Sequence, residues 1–365
     1  MPARFPASVA RSHLPRGMLV TVNYRSLLCI SLVAAWLPLC MAQTSSAPAA
    51  PGPSLSQAQA DLHHGKNADA IAVLEKLAAA NPAQPGVQHA LGLAFYRTGR
   101  LPQAKEAFEK AIAQNPKDIE SVQLEGLTLF RMGQPKAAIP YLEKAKQWMP
   151  TANADASHVL GLCYMNAQQF DDARRAFAAE YDLPPDSAAA HLILAQMLML
   201  SNLTDQGAAE AQKALALQPG LPMAHFLIGE VDLFKSQVDE AVQQLQAEQK
   251  INPTYPPVYS RLGDAYFRIG KYDQAEQALL KSLALSTSST GPFILMGKVL
   301  LRKQDPETAA MYLRHAEQMD PASFITHTLL GQAYRRMGDE ADARKEFEAA
   351  EKLQNASRLH LGAIQ

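Results

Sequence analysis

Cysteine is scarce in this chain, and its scarcity excludes two common ways of stabilising a fold. Only Cys29, Cys40 and Cys163 occur in 365 residues. Two of them lie in an apolar N-terminal segment, so a chain that loses this segment keeps Cys163 alone and can form no internal disulfide. No CxxC spacing is present for a structural zinc site. The fold is therefore predicted to depend on its hydrophobic core.

A strong excess of charge of either sign is also missing. The formal net charge is -1, whereas nucleic-acid partners usually select a strongly basic patch or domain. Four arginines and no acidic residue lie in the first 42 residues, so the rest of the chain is slightly acidic. We therefore expect no nucleic-acid partner.

The N-terminus has the composition of an export signal. Residues 26–42 read SLLCISLVAAWLPLCMA, after Arg25 and before the polar run QTSSAPAAPGPS. A basic residue, a short apolar run and small residues near a cut are typical of a signal peptide. We predict a signal peptide over residues 1–42, a flexible Pro/Ala/Ser-rich tether over residues 43–53, and export to the periplasm or surface of a bacterial cell.

Three alternatives stay open for this segment. Translation could begin at Met18, which lies at a more usual distance from the predicted cut. The apolar run could remain as a membrane anchor, although it is short for a bilayer span and contains Pro38. Cys40 could carry a lipid, although Leu39 before it is larger than the small residue that such sites favour. With cleavage, the mature chain is predicted to have no membrane span.

An internal repeat of 34 residues runs through the rest of the chain. Its units start at Pro51, Pro85, Ile119, Ala154, Ala188, Pro222, Pro256, Thr290 and Phe324. The eighth and twentieth positions of every unit hold Gly or Ala, which predicts two closely packed helices. Large side chains are predicted to fill the neighbouring gaps, as at Phe108, Phe177 and Phe347.

Residues that end helices separate the apolar stretches of each repeat. Prolines close many of the units. Glycines suited to a left-handed helix end lie between the two helices, at Gly65, Gly99, Gly133, Gly270 and Gly338. The pattern predicts a helix–turn–helix unit.

Residues 51–357 resemble the tetratricopeptide repeat family, and the unit Pro85–Asp118 carries the likeness best, with LGLAFYRTGRLPQAKEAFEKAIAQNP. The resemblance implies an all-α, right-handed superhelical solenoid of about nine units, followed by a C-terminal tail over residues 358–365. The family's usual tryptophan is missing throughout. Repeat five has Gly207 and Ala211 where Ala and a large residue are common, so we expect it to be the least tightly packed.

The resemblance also implies a concave wall, formed by the first helices, that binds peptides or protein surfaces. Its thirteenth position holds arginine toward both ends of the array, at Arg97, Arg131, Arg268, Arg302 and Arg336. Apolar candidates cluster in the middle, at Leu192, Met199, Leu200, Met223, Phe226 and Phe234. We predict that an amphipathic helix or extended peptide binds repeats four to six, with its acidic groups near the arginines. The alternative is structural: arginine also satisfies helix C-termini, and the apolar residues could be inter-repeat core.

Signs of catalysis are absent from the sequence. No GxSxG, HExxH or GxGxxG motif occurs. The segment Gly291–Lys298 resembles a phosphate loop, but its spacing is one residue too long and Val299 replaces the required Ser or Thr. His191 and His225 share a repeat position, yet equivalent helices lie about 8–10 Å apart, too far to share a metal. We predict no catalytic residue, cofactor or metal ligand.

The predicted function is a non-catalytic interaction scaffold or adaptor for a protein or peptide, in envelope assembly or secretion. One alternative is a recruiting or regulatory subunit for a separate enzyme such as a glycosyltransferase. Another is a self-associating structural protein, because the end SRLHLGAIQ caps the last repeat sparsely. A second copy of the chain would then be the partner.

Overall fold

The structure is a computed structural model that describes residues 54–148 and 154–362. The predicted signal peptide and tether lie outside these residues. Within the described ranges the chain forms eighteen α-helices and no strand. None of these helices is both long and apolar enough to cross a membrane. The all-α class predicted from the sequence is confirmed.

The chain divides into two compact units, the first ending at Gly133 and the second beginning at Gln134. The helices of the first unit are α1 Leu55–His63, α2 Asn67–Ala80, α3 Val87–Arg97, α4 Leu101–Gln114 and α5 Ile119–Arg131. Those of the second unit are α6 Pro135–Trp148, α7 Ala154–Asn166, α8 Phe170–Glu180, α9 Ala188–Leu200, α10 Thr204–Leu217, α11 Ala224–Phe234, α12 Val238–Ile251, α13 Pro256–Arg268, α14 Tyr272–Leu285, α15 Thr290–Arg302, α16 Pro306–Met319, α17 Phe324–Met337 and α18 Glu340–Gly362. In each unit every helix packs against the next one along the chain.

The small residues of the eighth column make room for a large side chain of the second helix. A Cβ added at Gly92 would lie 2.5 Å from the ring of Phe108, and one added at Gly161 would lie 2.4 Å from the ring of Phe177. Both phenylalanines are fully buried. Because real Cβ atoms do not approach other atoms this closely, the column needs glycine wherever such a side chain faces it.

The turn between the paired helices of each repeat contains one residue in the left-handed backbone conformation, even where that residue is not glycine. The five predicted glycines all have positive φ, between 73° and 85°. At the equivalent position, four other repeats have non-glycine residues with φ of 61° to 64°, namely Gln168, Asn202, Ser236 and Gln304. The turn geometry is therefore imposed by the packing of the helix pair, and these four residues adopt a conformation that costs L-residues free energy.

Several first helices begin at a side chain that caps them. The Asp118 carboxylate accepts a hydrogen bond from the Ser121 N–H, and the Ser187 hydroxyl accepts one from the Ala190 N–H. These are the oxygen acceptors that exposed N–H groups at a helix start require. The caps fix where α5 and α9 begin.

Repeat five stays predicted to be the least tightly packed, although Met199 occupies the space beside Gly207: a Cβ added there would lie 2.6 Å from the Met199 Cγ. One other expectation differs from the structure. The segment expected to be a tail from residue 358 begins inside a helix, since α18 continues to Gly362.

Candidate functional site

The arginine column predicted for the groove links successive first helices within each unit. In the first unit, Arg97 donates to the carbonyl of Leu62 at 2.8 Å, and Arg131 donates to the carbonyl of Tyr96 at 3.1 Å. The Arg131 guanidinium also lies 4.5 Å from the centre of the Tyr96 ring. Each bond joins residues 35 positions apart, from the end of one first helix to the last turn of the preceding one.

The second unit repeats this link at two of its three arginines. Arg268 donates to the carbonyl of Leu233 at 2.8 Å, and Arg336 donates to the carbonyl of Leu301. Arg302 is exposed and makes no such bond to any residue that the structure describes. The structural interpretation of the column is therefore correct for four of its five arginines, because a cation here satisfies a helix-end carbonyl of the preceding repeat.

Leu200 and Phe234 occupy the same thirteenth position in repeats five and six, where five other repeats have arginine. Their exposed fractions are 62% and 53%, so both are exposed as a groove residue must be. They end the first helices of two consecutive repeats, α9 and α11. The structure thus presents two large apolar side chains at the position that other repeats use for a helix-linking cation.

The remaining apolar candidates are less exposed than Leu200 and Phe234. Phe226 is only 6% exposed and packs edge-on against Tyr255, with ring centres 5.4 Å apart, so it belongs to the core, which corrects its assignment to the groove. Leu192, Met199 and Met223 are half-buried and pack against the core cluster of the second unit. Their assignment to the groove stays a prediction.

Ion pairs partly neutralise the charges near this surface. Arg268 also contacts the Asp264 carboxylate at 2.7 Å. Arg261 contacts Glu230 at 2.8 Å. Arg302 stays outside these pairs. Of the arginines predicted for the groove, Arg302 is therefore the one in the second unit that makes neither a helix-linking bond nor an ion pair with a described residue.

Lysines that follow the first helices bind carboxylates of the preceding repeat. Lys235, directly after Phe234, pairs with Asp205, which lies in the first turn of α10. At the same positions two repeats later, Lys303 lies 2.6 Å from Asp273. The first of these pairs connects repeats five and six beside Leu200 and Phe234. It holds the exposed apolar pair on adjacent, mutually anchored helices.

A buried glutamate that sequence reasoning missed fixes the start of α11. The Glu248 side chain on α12 is fully buried, and its Oε1 accepts the Met223 N–H at 2.7 Å. Met223 has φ of 76°, where the equivalent residue in repeat two is Gly86 with φ of 80°. Burial raises the pKa of Glu248, while the hydrogen bond from the Met223 N–H opposes this rise. The carboxylate thus satisfies the N–H of the N-cap residue of α11, a helix that has no side-chain cap of its own.

The histidines and the loop-like glycine segment have structural surroundings. His191 on α9 lies 2.6 Å from Glu210 on α10, and His225 on α11 lies 2.6 Å from Gln244 on α12, so each links the two helices of its repeat. Gly291 and Lys298 both lie inside α15, which leaves no loop to cradle a phosphate.

Comparison with known proteins decides the family. Three sequence profiles described as tetratricopeptide repeat match residues 61–126 and 129–197, residues 256–288, and residues 294–357. This chain belongs to the tetratricopeptide repeat family. The matches include units from both parts of the chain, and the tetratricopeptide solenoid predicted from the sequence is confirmed. No curated protein matches the sequence.

Several solved structures are similar to parts of this chain at low sequence identity. The APC/C hetero-tetramer Cut9-Hcn1 is 19% identical over 73% of this chain and 52% of its own, with a TM-score of 0.43. YrrB, described as a TPR protein with an unusual peptide-binding site, is 19% identical over 53% of this chain and 98% of its own, with a TM-score of 0.44. A tetratricopeptide repeat protein from Parabacteroides merdae is 18% identical over 66% of this chain and 95% of its own, with a TM-score of 0.37.

These likenesses do not bear on what the chain binds. The chain spans about half the length of the Cut9-Hcn1 chain that it matches. What this protein binds must therefore be argued from its own residues.

Proposed function

We propose that this protein is a non-catalytic interaction scaffold whose second unit binds a segment of another protein around Leu200 and Phe234. The observation that carries the proposal is the replacement, in two consecutive repeats, of the helix-linking arginine by a large exposed apolar residue. Contact between an exposed apolar side chain and water is unfavourable in free energy. The side chain therefore contributes to binding when a partner covers it.

Charge complementarity favours one kind of occupant. Arg302 has the same repeat position two repeats after Phe234, beyond Arg268, and takes part in no ion pair with a described residue. A segment with apolar side chains for Leu200 and Phe234 and an acidic side chain for Arg302 would satisfy both features. Peptides of this kind bind with a few apolar anchors and a polar rim. The proposed partner is therefore an amphipathic, acidic segment.

The place of action is proposed to be the bacterial envelope, in assembly or secretion. The support is the sequence alone: Arg25, the apolar run of residues 26–42 and the small residues before Gln43. Such a chain would meet its partner after export.

Site-specific photocross-linking tests the binding surface. A photoreactive phenylalanine analogue replaces Phe234 in one variant and Leu217 in the other, and partners are captured from cell-envelope extract. Leu217 is a matched control, because it is equally exposed but lies on the second helix α10. The expected result is a defined partner protein that cross-links at position 234 and not at position 217.

A binding assay with that partner completes the test. Leu200→Glu and Phe234→Glu should each weaken binding by about tenfold or more, because each introduces a charge into the apolar contact. Leu217→Glu should leave binding unchanged. Equal cross-linking at both positions, or cross-links only between copies of this chain, would overturn the proposal, and the second result would favour self-association.

A further inference from the structure

A buried histidine near the C-terminal end of the second unit lies between glutamates from two other helices. The Nδ1 of His327, on α17, lies 2.6 Å from Oε2 of Glu346, on α18. The same Nδ1 lies 3.8 Å from Oε1 of Glu317, on α16. His327 and Glu346 are 7% and 8% exposed, whereas Glu317 is half-buried. Three helices thus bring one imidazole and two carboxylates together.

The other ring nitrogen of His327 has a separate partner. Its Nε2 lies 3.0 Å from the backbone carbonyl oxygen of Pro321. Because a carbonyl oxygen only accepts hydrogen bonds, Nε2 carries a proton, and Nδ1 is the nitrogen that faces the carboxylates. Histidines that bind metals commonly have this arrangement, in which one nitrogen is the ligand and the other donates to a carbonyl or carboxylate.

Comparison with His191, the equivalent histidine of repeat five, shows which contacts are particular to His327. His191 and Glu210 make the same 2.6 Å contact, again between residues 19 positions apart. The position equivalent to Glu317 holds Tyr181 there, and Lys213 lies 2.7 Å from Glu210. Repeat five therefore lacks the second carboxylate, and a lysine offsets the charge of the first. The histidine–glutamate bond links the paired helices in both repeats, whereas the second carboxylate, that of Glu317, is present only beside His327.

The Glu317 carboxylate has no evident role in stabilising the fold. The Glu317 carboxylate makes no hydrogen bond with any residue in the part of the chain that the structure describes. Its closest charged partner is the Nδ1 of His327. Glu317 adds negative charge to a nearly buried histidine–glutamate pair, which is unfavourable unless a cation offsets it. Both ring nitrogens of His327 face oxygens that only accept hydrogen bonds, so the doubly protonated imidazole is that cation in the metal-free chain, and a bound metal ion would take over the same place.

We propose that Glu317, His327 and Glu346 form a binding site for a zinc-type divalent cation that joins α16, α17 and α18. The imidazole nitrogen favours Zn²⁺ or Co²⁺ over Ca²⁺ and Mg²⁺, which prefer oxygen ligands. Tetrahedral bonds of about 2.0–2.1 Å place ligand atoms about 3.3 Å apart. The two observed separations from Nδ1, 2.6 Å and 3.8 Å, lie on either side of that value. The half-buried face at Glu317 provides access for the ion and for a water as fourth ligand.

A cation at this site would stabilise the end of the repeat array. The final helix pair α17–α18 has no following repeat among the described residues to cover it, and α16 belongs to the preceding repeat. A bound ion connects all three helices and stabilises the folded state in proportion to its concentration relative to Kd. The site is independent of the proposed peptide surface.

Titration of the untagged full chain with Zn²⁺ tests the site by calorimetry, and titration with Co²⁺ tests it by visible absorption. Glu317→Gln is the decisive variant because it preserves the His327–Glu346 bond and therefore the fold. It should lower the affinity for Zn²⁺ by about tenfold or more and remove the tetrahedral Co²⁺ bands. Glu307→Gln, which removes the same charge from an exposed position on the same helix, should change neither.

Thermal unfolding gives a second readout. Zn²⁺ should raise the Tm of the unaltered chain and of Glu307→Gln, and it should not raise the Tm of Glu317→Gln. Zn²⁺ binding that survives unchanged in Glu317→Gln would place the metal elsewhere, for example at the cysteines, and would overturn the proposal. The absence of Zn²⁺ binding to the unaltered chain would overturn it as well.

Discussion

The guanidinium of Arg268 donates a 2.8 Å hydrogen bond to the backbone carbonyl of Leu233, one repeat earlier. Leu233 lies in the last turn of α11, where carbonyl groups have no partner within the helix. The same carbonyl accepts the N–H of Ser236 in the turn that follows, so the arginine supplies the second of its two bonds. The link fastens repeat seven to repeat six independently of the apolar core.

Arg268→Ala should therefore lower the free energy of unfolding by about 1 kcal/mol, a value reduced because the side chain is partly exposed. Arg302→Ala is the matched control, since Arg302 has the same repeat position but no bond of this kind to a described residue. Its effect should stay within about 0.5 kcal/mol. Urea unfolding of both variants measures the difference, and equal losses would show that the bond to Leu233 contributes nothing.

The left-handed turn residues predict stabilising substitutions. Ser236 and Gln304 have φ of 63° and 64°, and each replacement by glycine should raise the free energy of unfolding by about 0.5–1 kcal/mol. Asn202→Gly should raise it less, because asparagine tolerates this conformation better than other L-residues. Urea unfolding measures the order of the three variants. Gly270→Ala, the reverse change at the same position, should destabilise the chain; a neutral result there would contradict the argument.

Much of the fold is predictable from the sequence because its determinants repeat. The small residue at Gly92 and the large one at Phe108 meet within one helix pair, so their spacing in sequence is enough to infer their contact. The turn at Gly65 is equally local, since it needs one residue with positive φ. Repetition of the same spacing in nine units then makes the inference secure.

The groove residues were less predictable because their neighbours differ from repeat to repeat. Phe226 turns toward Tyr255, an aromatic residue just before α13 that the equivalent places in other repeats do not reproduce. Glu248 bonds to a backbone N–H 25 residues earlier, and no side-chain pattern records that contact. Repeat position identified Leu200 and Phe234 as exposed, but it could not separate them from their half-buried neighbours.

The buried carboxylate of Glu125 predicts that stability depends on pH. Glu125 is fully buried on α5, and neither of its oxygens has a hydrogen-bond partner among the described residues. Burial raises its pKa to about 7, with a further contribution from Glu109 that Lys105 opposes. The folded state therefore holds this proton more tightly than the unfolded state, whose carboxyl titrates near 4.5. Stability should fall as pH rises from about 4.5 to 7, by up to about 3 kcal/mol.

Glu125→Gln removes the titrating group and should flatten this decline. The variant should be more stable than the unaltered chain at pH 8 and similar to it near pH 4.5, as measured by urea unfolding across this range. Glu75→Gln makes the same charge change at an exposed position in the same unit, and its pH profile should follow that of the unaltered chain. A profile for Glu125→Gln that still declines between pH 4.5 and 7 would assign the dependence to another group.

Gly207 and Met199 should be energetically coupled, because one occupies the space that the other leaves. A Cβ at residue 207 would lie 2.6 Å from the Met199 Cγ and 3.0 Å from the Ala195 carbonyl oxygen. Gly207→Ala should therefore destabilise the chain by about 1–3 kcal/mol, even though alanine is the better helix former. Met199→Ala should cost about 1 kcal/mol, since the side chain is half-buried.

The double variant separates steric coupling from independent effects. With Met199 truncated, the nearest remaining contact of the added Cβ is the Ala195 carbonyl oxygen, and the helix gains the propensity of alanine. The cost of Gly207→Ala should therefore shrink by about 1 kcal/mol or more in the Met199→Ala background, as measured by a double-mutant cycle of urea unfolding. Additive losses of unfolding free energy would mean that the Met199 side chain moves away from an added Cβ without loss of stability. In that case repeat five would have glycine at this position for a reason other than packing.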